Sequence, residues 1–244
     1  MTVLPHIAVL TNRGRQRTEN QDAVLALCFG DGQQMLLAIA DGLGGLANGA
    51  VASRHALQRI RQALVTLDSE SPIERIVAAL GNANSEFVQA AEGDSQKTMG
   101  TTAVGLLFNS AGVLSYNIGD SRAYRLRDGV LQQLTQDHSV GADLVRQGLL
   151  TPDELSSDPR RNQLTRCVGV EPDFEPDIVG PAPVASRDRY LVCSDGLYGP
   201  LREEEIARLV EAAPDPLSAC ARLIDAANAA GGPDNISAGL AFFE

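Results

Sequence analysis

Four aspartates carry the chemistry this chain can be expected to do. The stretch Leu36–Gly45, LLAIADGLGG, runs five apolar residues into Asp41 and then places glycine at 42, 44 and 45. A short apolar run bounded by glycine reads as a buried strand. Beyond Asp41 the backbone is free to turn sharply and approach a ligand. Taken alone, a plain strand-to-turn aspartate explains this stretch. The pattern recurs, however. YLVCSDG (190–196) delivers Asp195, SYNIGDS (115–121) delivers Asp120, and GGPDNIS (231–237) delivers Asp234 before an alternating strand, Ile236, Ala238, Leu240, Phe242. If the fold brings these carboxylates together, two charges 4 Å apart repel by ~4 kcal/mol at an effective dielectric of 20. A cation would neutralise such a cluster, and oxygen-only ligands favour Mg²⁺ or Mn²⁺ over Ca²⁺.

The bulk properties narrow the field. The chain has 244 residues, 44% of them hydrophobic, enough for a sizeable core. No uninterrupted apolar run approaches the roughly 18 residues of a membrane span. The first residues, MTVLPHIAVL, lack a basic region followed by a long apolar stretch, so no signal peptide is expected. Cysteines 28, 167, 193 and 220 form no CxxC pair, so reduced thiols in a cytoplasmic protein are expected. A net charge of −11 argues against nucleic acid, which needs a basic footprint. It also means that an anionic substrate would need local positive charge, which divalent metals supply.

One basic cluster stands out. In NRGRQRTENQD (12–22), Arg13, Arg15 and Arg17 precede Asp22, which opens an apolar strand, Ala23 to Cys28. Arginine holds phosphate bidentately, although a solvated loop explains the cluster on its own. The elements around these residues follow from periodicity. His6–Thr11 is a strand, and Asp31-Gly32 leads into the strand of Leu36 as a hairpin. Leu57, Ile60, Leu64 and Leu67, then Ile73, Ile76, Val77, Leu80 and Phe87, predict two amphipathic helices, with Pro72 in the first turn of the second. Residues 92–97 read as a loop. Strands follow at 100–108, 113–118, 122–126 and 130–134, the last two flanking Asp128-Gly129. His138–Arg166 reads as an inserted surface flap with a short helix near 142–147, and 172–183 as a proline-rich connection. Helices are predicted at 202–211 and 217–230. Grouped strands and grouped helices imply an α+β domain with antiparallel sheets.

The segments RTENQD (17–22), ADGLGG (40–45), GTT (100–102), IGDSRAYRL (118–126), LTQDHS (134–139), RRNQLTR (160–166), CSDGL (193–197) and GGPDNIS (231–237) together resemble the metal-dependent type 2C (PPM) protein serine/threonine phosphatases, in order and over essentially the whole chain. They are most similar to the compact bacterial members. The resemblance implies a four-layer α-β-β-α sandwich of two antiparallel sheets flanked by helices, with residues 1–244 as one catalytic domain and a flap at about 139–166. It implies two Mn²⁺ or Mg²⁺ ions, bridged by Asp41, with the Gly42 carbonyl on one ion and Asp195 and Asp234 completing the other. Asp22 would act through water, and Asp120 would serve a third, weaker position. Arg17 matches the arginine that holds the substrate phosphate, and a metal-bridging hydroxide would be the nucleophile. The implied partners are phosphorylated proteins, opposing a bacterial serine/threonine kinase, and the implied state is a monomer.

Two positions depart from the family pattern. Gln21 stands where some members have Glu, and Leu43 where some have a His proposed as general acid. His138 could replace that acid by residue type but is expected to be a structural hydrogen bonder; His6 and His55 are expected to be incidental. There is no GxSxG elbow and no GxxxxGK[ST] loop. The alternatives to an active enzyme are a catalytically weak phosphoprotein-binding module of the same fold and an acidic metal-binding structural protein. The complete aspartate set and the arginine favour the enzyme.

Overall fold

The computed structural model describes residues 4–43, 48–66, 70–92, 98–155, 158–172 and 174–244. Gly44, Gly45, Leu67 and most of the expected loop at 92–97 lie outside the described residues.

Two five-stranded antiparallel sheets form the centre. One has the order β1-β10-β9-β6-β7 and the other β2-β3-β4-β5-β8. The strands are β1 (His6–Asn12), β2 (Asp22–Phe29), β3 (Gln34–Asp41), β4 (Ala103–Asn109), β5 (Gly112–Ile118), β6 (Arg122–Arg127), β7 (Val130–Gln133), β8 (Asp177–Ala182), β9 (Arg189–Cys193) and β10 (Ile236–Phe242). The helices are α1 (Gly49–Val65), α2 (Pro72–Ala91), α3 (Val140–Arg146), α4 (Pro152–Leu155), α5 (Asp195–Tyr198), α6 (Glu203–Glu211) and α7 (Pro216–Ala229).

Strand β3 shows why the sequence gives layers. Its residues 36–40 are all fully buried. Leu36, Ala38 and Ala40 pack with Ile60, Ile76 and Leu80 of α1 and α2. Leu37 and Ile39 point the other way, into a core shared with Tyr190, Val192 and Ala241 of the facing sheet. A strand covered on both faces cannot alternate apolar with polar, so it reads as a continuous apolar run. On the far side, α6 and α7 cover the first sheet through Ile206, Val210, Leu223 and Ile224, against Leu191, Ala238 and Leu240. The result is helices, sheet, sheet, helices, as expected.

Local chemistry sets the ends of the elements. Pro72 opens α2 behind a capping box, in which Ser71 and Glu74 satisfy each other's backbone N–H groups. Asp128 and Gly129 take φ of 52° and 75°, as a two-residue turn between β6 and β7 demands.

Three elements differ from expectation. Residues 177–182 form an edge strand, β8, within the expected proline-rich connection. Proline lacks the ladder donor and is tolerated at such an edge, so Gly180 and Pro181 conceal the strand from pattern reading. The short helix α5 begins at Asp195, where a strand end was expected, and α4 adds a turn to the 139–166 segment.

Candidate active site

Asp22 and Asp41 are direct cross-strand partners at the ends of β2 and β3. Asp41 is fixed through its backbone. Its N–H donates to Thr102 Oγ1 (3.0 Å), and its carbonyl accepts from the Thr102 N–H (2.9 Å) and Thr101 Oγ1 (2.9 Å). Gly42 follows, bridged to Thr101. A Cβ on Gly42 would lie 2.3 Å from the Gly49 carbonyl oxygen and 2.7 Å from that of Gln21, so only glycine fits.

The buried Asp22 carboxylate receives two hydroxyls on Oδ2, from Ser194 (2.8 Å) and Ser237 (2.6 Å). Its Oδ1 has no partner among the described residues. These serines belong to the other sheet's strand ends, so Asp22 ties the two sheets together at the site. Asp195 stands at the first position of α5, with its Oδ1 also buried and unpartnered. Gly196 lets this turn press against the 234–235 backbone, since a Cβ there would sit 1.9 Å from the Asn235 carbonyl oxygen. Asp120 lies buried on the loop after β5, its carbonyl accepting from Tyr198 Oη at 2.9 Å.

Asp234 is gripped on both oxygens. Arg17 Nη2 donates to Oδ2 (2.7 Å) and the Asn235 N–H to Oδ1 (2.8 Å). The basic loop is held against this turn by Asn235, whose Oδ1 accepts from the Gln21 N–H (2.8 Å) and whose Nδ2 donates to the carbonyls of Arg13 (2.9 Å) and Glu19 (2.8 Å). The three arginines thus arrive beside Asp234 by a stapled loop, and Arg17 is the one that engages it.

Electrostatics show that the aspartates converge. Burial pushes Asp41 and Asp195 well above the usual carboxylate range, and the charges of the neighbouring aspartates add to it. Asp22 is raised to about 6, chiefly by burial, against the opposing pull of the two serines. Asp120 rises to about 7, by burial and then by the charge of Asp137. Asp41 feels Asp22, Asp195, Asp120 and Asp234 in turn.

Buried carboxylates that destabilise one another's ionised forms, with two oxygens lacking donors, suit hard divalent cations. Among the described residues no three His, Cys, Asp or Glu side chains already close as a ready cluster around one point. Ions of the Mg²⁺ type keep several waters and use few protein carboxylates, so a ring of this kind suffices.

A groove of about 1240 Å³ opens over the ring, walled by Asp120, Asp195 and Asp234 on one side and by Val145, Leu155 and Arg161 of the 139–166 segment on the other. The expected bystanders are elsewhere: His55 pairs with Glu86 between α1 and α2, and His6 with Glu244. His138 is buried and hydrogen-bonded on both ring nitrogens, a structural role.

Sequence reasoning singled out the carboxylates and missed the groups that aim them. Ser194, Ser237 and Asn235 sit one residue before Asp195, three after Asp234 and one after Asp234; Thr101 and Thr102 form the GTT pair. All lie inside the motifs, and small polar residues next to buried acids are the available signal.

Two stacked antiparallel sheets with a carboxylate ring at their common edge define the class. A family model for protein phosphatase 2C matches residues 11–231. The chain belongs to the protein phosphatase 2C family. It is 36% identical over 242 residues to the serine/threonine protein phosphatase PstP of Mycobacterium tuberculosis, covering 97% of this chain and 45% of that protein; it thus spans a little under half of PstP's length. It is 33% identical over 237 residues to the serine/threonine phosphatase stp of Listeria monocytogenes, covering 95% of this chain and 93% of that one. A crystal structure of the PstP catalytic domain in complex with two manganese ions superposes with a TM-score of 0.85 at 33% identity, over 99% of both chains.

Proposed function

We propose that this chain is a metal-dependent phosphatase that hydrolyses phosphoserine and phosphothreonine in proteins. The observation that carries this is the cluster of aspartates, Asp22 and Asp120 buried and Asp41, Asp195 and Asp234 partly so, with Asp41 and Asp195 pushed up in pKa and a guanidinium at the rim. Bound at this ring, Mn²⁺ or Mg²⁺ ions would supply a nucleophilic water at neutral pH and stabilise charge on a phosphoryl group. Asp41, Asp195, Asp234 and the Gly42 carbonyl would hold two ions, Asp22 would act through water, and Asp120 would serve a third.

The chain's own residues divide the remaining work. Ser194 and Ser237 hold Oδ2 of Asp22, leaving Oδ1 facing its neighbours without a donor. Thr101 and Thr102 fix the Asp41 backbone. Arg17 presents a planar fork to phosphate, and its pairing with Asp234 orients that fork at the ring. Leu43 has no ionisable proton, so it cannot serve as the general acid.

The same proposal takes residues 1–244 as one catalytic domain with 139–166 as its flap, which sets substrate choice from the groove wall. It takes the protein as a cytoplasmic monomer opposing a serine/threonine kinase. Four free cysteines, two of them buried, are in keeping with a reducing compartment. Among the described residues no helix is long and apolar enough to cross a membrane.

The test is phosphate release from a phosphothreonine peptide by chelator-stripped protein, with and without Mn²⁺, beside Asp195→Ala. Release that requires both the metal and Asp195 is the expected result. Folded, metal-loaded protein that releases none would instead be a phosphoprotein-binding module. Native mass spectrometry with Mn²⁺ and with Mg²⁺ would count two ions or three, and sedimentation would test the monomer.

A further inference from the structure

The 139–166 segment leaves and rejoins the body of the protein through a narrow neck. Its two ends pair directly: the Val140 N–H donates to the Gln163 carbonyl (2.8 Å), the Thr165 N–H to the His138 carbonyl (2.9 Å), and Ser139 bridges Leu164. Both sides of the neck then meet one carboxylate. Asp177, the first residue of β8, accepts from Arg166 Nη1 on Oδ1 (2.9 Å) and faces His138 Nε2 with Oδ2 (3.2 Å). The tautomer is fixed by the other ring nitrogen. His138 Nδ1 accepts from the Gly119 N–H at 3.1 Å, so the hydrogen sits on Nε2 and is donated to Asp177. Burial holds His138 below its ordinary pKa, in keeping with this neutral form.

Asp177 itself is set by the sheet. It lies opposite Asn117 in the β5–β8 register, and Asn117 Nδ2 donates to the carbonyls of Gly119 (3.1 Å) and Gln136 (2.9 Å). Arg166 also donates to the Glu175 carbonyl at 3.1 Å, just before β8. The edge strand that pattern reading conceals is therefore the post to which the neck is fastened. Among the described residues the side-chain partners found for Asp177 are His138 and Arg166, and none is a member of the aspartate ring.

We propose that Asp177 is a positioning residue, a clasp whose single carboxylate joins both sides of the flap neck and thereby holds the groove wall in place for protein substrates. It deepens the phosphatase reading and rests on it. A small aryl phosphate reaches the ring without using the groove wall, whereas a phosphopeptide lies along it. The neck should matter for the second and not for the first.

The experiment compares wild type with Asp177→Ala and Arg166→Met. The first removes both arms of the clasp and the second only one. In Asp177→Ala, which loses both charge-assisted bonds, KM for a phosphothreonine peptide is expected to rise about tenfold. kcat/KM for p-nitrophenyl phosphate should stay within about twofold, and Arg166→Met should give a smaller change in the same sense. Hydrogen exchange supplies a readout that needs no turnover: the Val140 and Thr165 amides, which bond across the neck, should exchange faster in both variants, with the β3 amides unchanged. Equal loss on both substrates, or unaltered exchange at Val140 and Thr165, overturns the clasp. If wild type proves inactive on the phosphothreonine peptide, the phosphatase reading fails and exchange alone decides the clasp. If Asp177→Ala does not fold, Arg166→Met decides it by the same two measurements.

Discussion

Asp22→Asn turns the electrostatic strain of the site into a stability measurement. The carboxylate is buried, accepts two serine hydroxyls on one oxygen and has no donor for the other. Its pKa is raised from 3.8 to about 6, by burial first. An acid whose folded pKa is raised contributes its full share of stability below the unfolded value and loses it as pH climbs through the folded one. For Asp22 that window runs from about pH 4 to about pH 6. The loss is roughly 3 kcal/mol. Asparagine keeps an oxygen for the two serines and has no charge to desolvate. Metal-free Asp22→Asn should therefore gain on wild type as pH rises, by roughly 2–3 kcal/mol between pH 4 and pH 8. That corresponds to a relative shift in Tm of about 5–10 °C for a chain of this size. Carboxylates held low by partners, such as Asp177 and Asp188, and the depressed His138, titrate alike in both proteins and cancel in the difference, whereas Asp41 and Asp195, which the charge of Asp22 helps to push up, relax in the variant and widen the gap in the same direction. The assay is thermal and urea unfolding of both proteins in EDTA across that range. A gap that stays constant with pH would refute the account of Asp22 as a carboxylate strained by burial. With Mn²⁺ added, wild type should recover at pH 8 more than the variant does.

Other expectations rest on separate features. Arg17→Ala should cut phosphopeptide kcat/KM by about 10- to 100-fold, chiefly through KM, since it removes a charge-assisted fork. Calorimetry should find metal affinity undiminished, because Asp234 is freed from its pair with Arg17; lost metal binding would show the role to be misassigned. Asp195→Ala should lower Mn²⁺-dependent turnover by at least about 100-fold while the far-UV spectrum is kept, and retention of activity would remove Asp195 from the cage. Arg127→Ala leaves the fully buried Asp188 carboxylate with the Ala185 N–H and Tyr190 Oη as its partners among the described residues. Since Arg127 is about one-third exposed, the cost should be about 2–3 kcal/mol in urea unfolding, and turnover by the folded protein should be unaffected.

The sequence was most informative where a local pattern and a global role coincide. Asp41 stands at the end of a strand buried on both faces, and burial on both faces is what makes residues 36–40 uniformly apolar. The Asp128-Gly129 turn and the Pro72 helix start are likewise local chemistry. Other features depend on segments far apart in the chain. Nothing near Asp22 announces that Ser194 and Ser237 will reach its Oδ2, because those contacts exist only once the two sheets stack. The pairing of Arg17 with Asp234 requires the Asn235 staple. Strand β8 was missed because its edge position permits a Gly-Pro pair that a central strand would reject, and with it went the partner of His138.

The pairing of β1 with β10 has a kinetic meaning. His6 lies opposite Phe242 and Asn12 opposite Ile236, so β10, the interior strand between β1 and β9, is the one that follows all the others in sequence. Contacts that span most of a chain form late, because a large loop must close before they contribute anything. A nascent chain will thus carry Asp22 and Asp41 long before Asp234 and the Asn235 staple exist, and the half-made sheet cannot hold Arg17 in place. The geometry works as a completion check: hydrolytic competence should switch on abruptly once β10 docks, instead of growing with chain length.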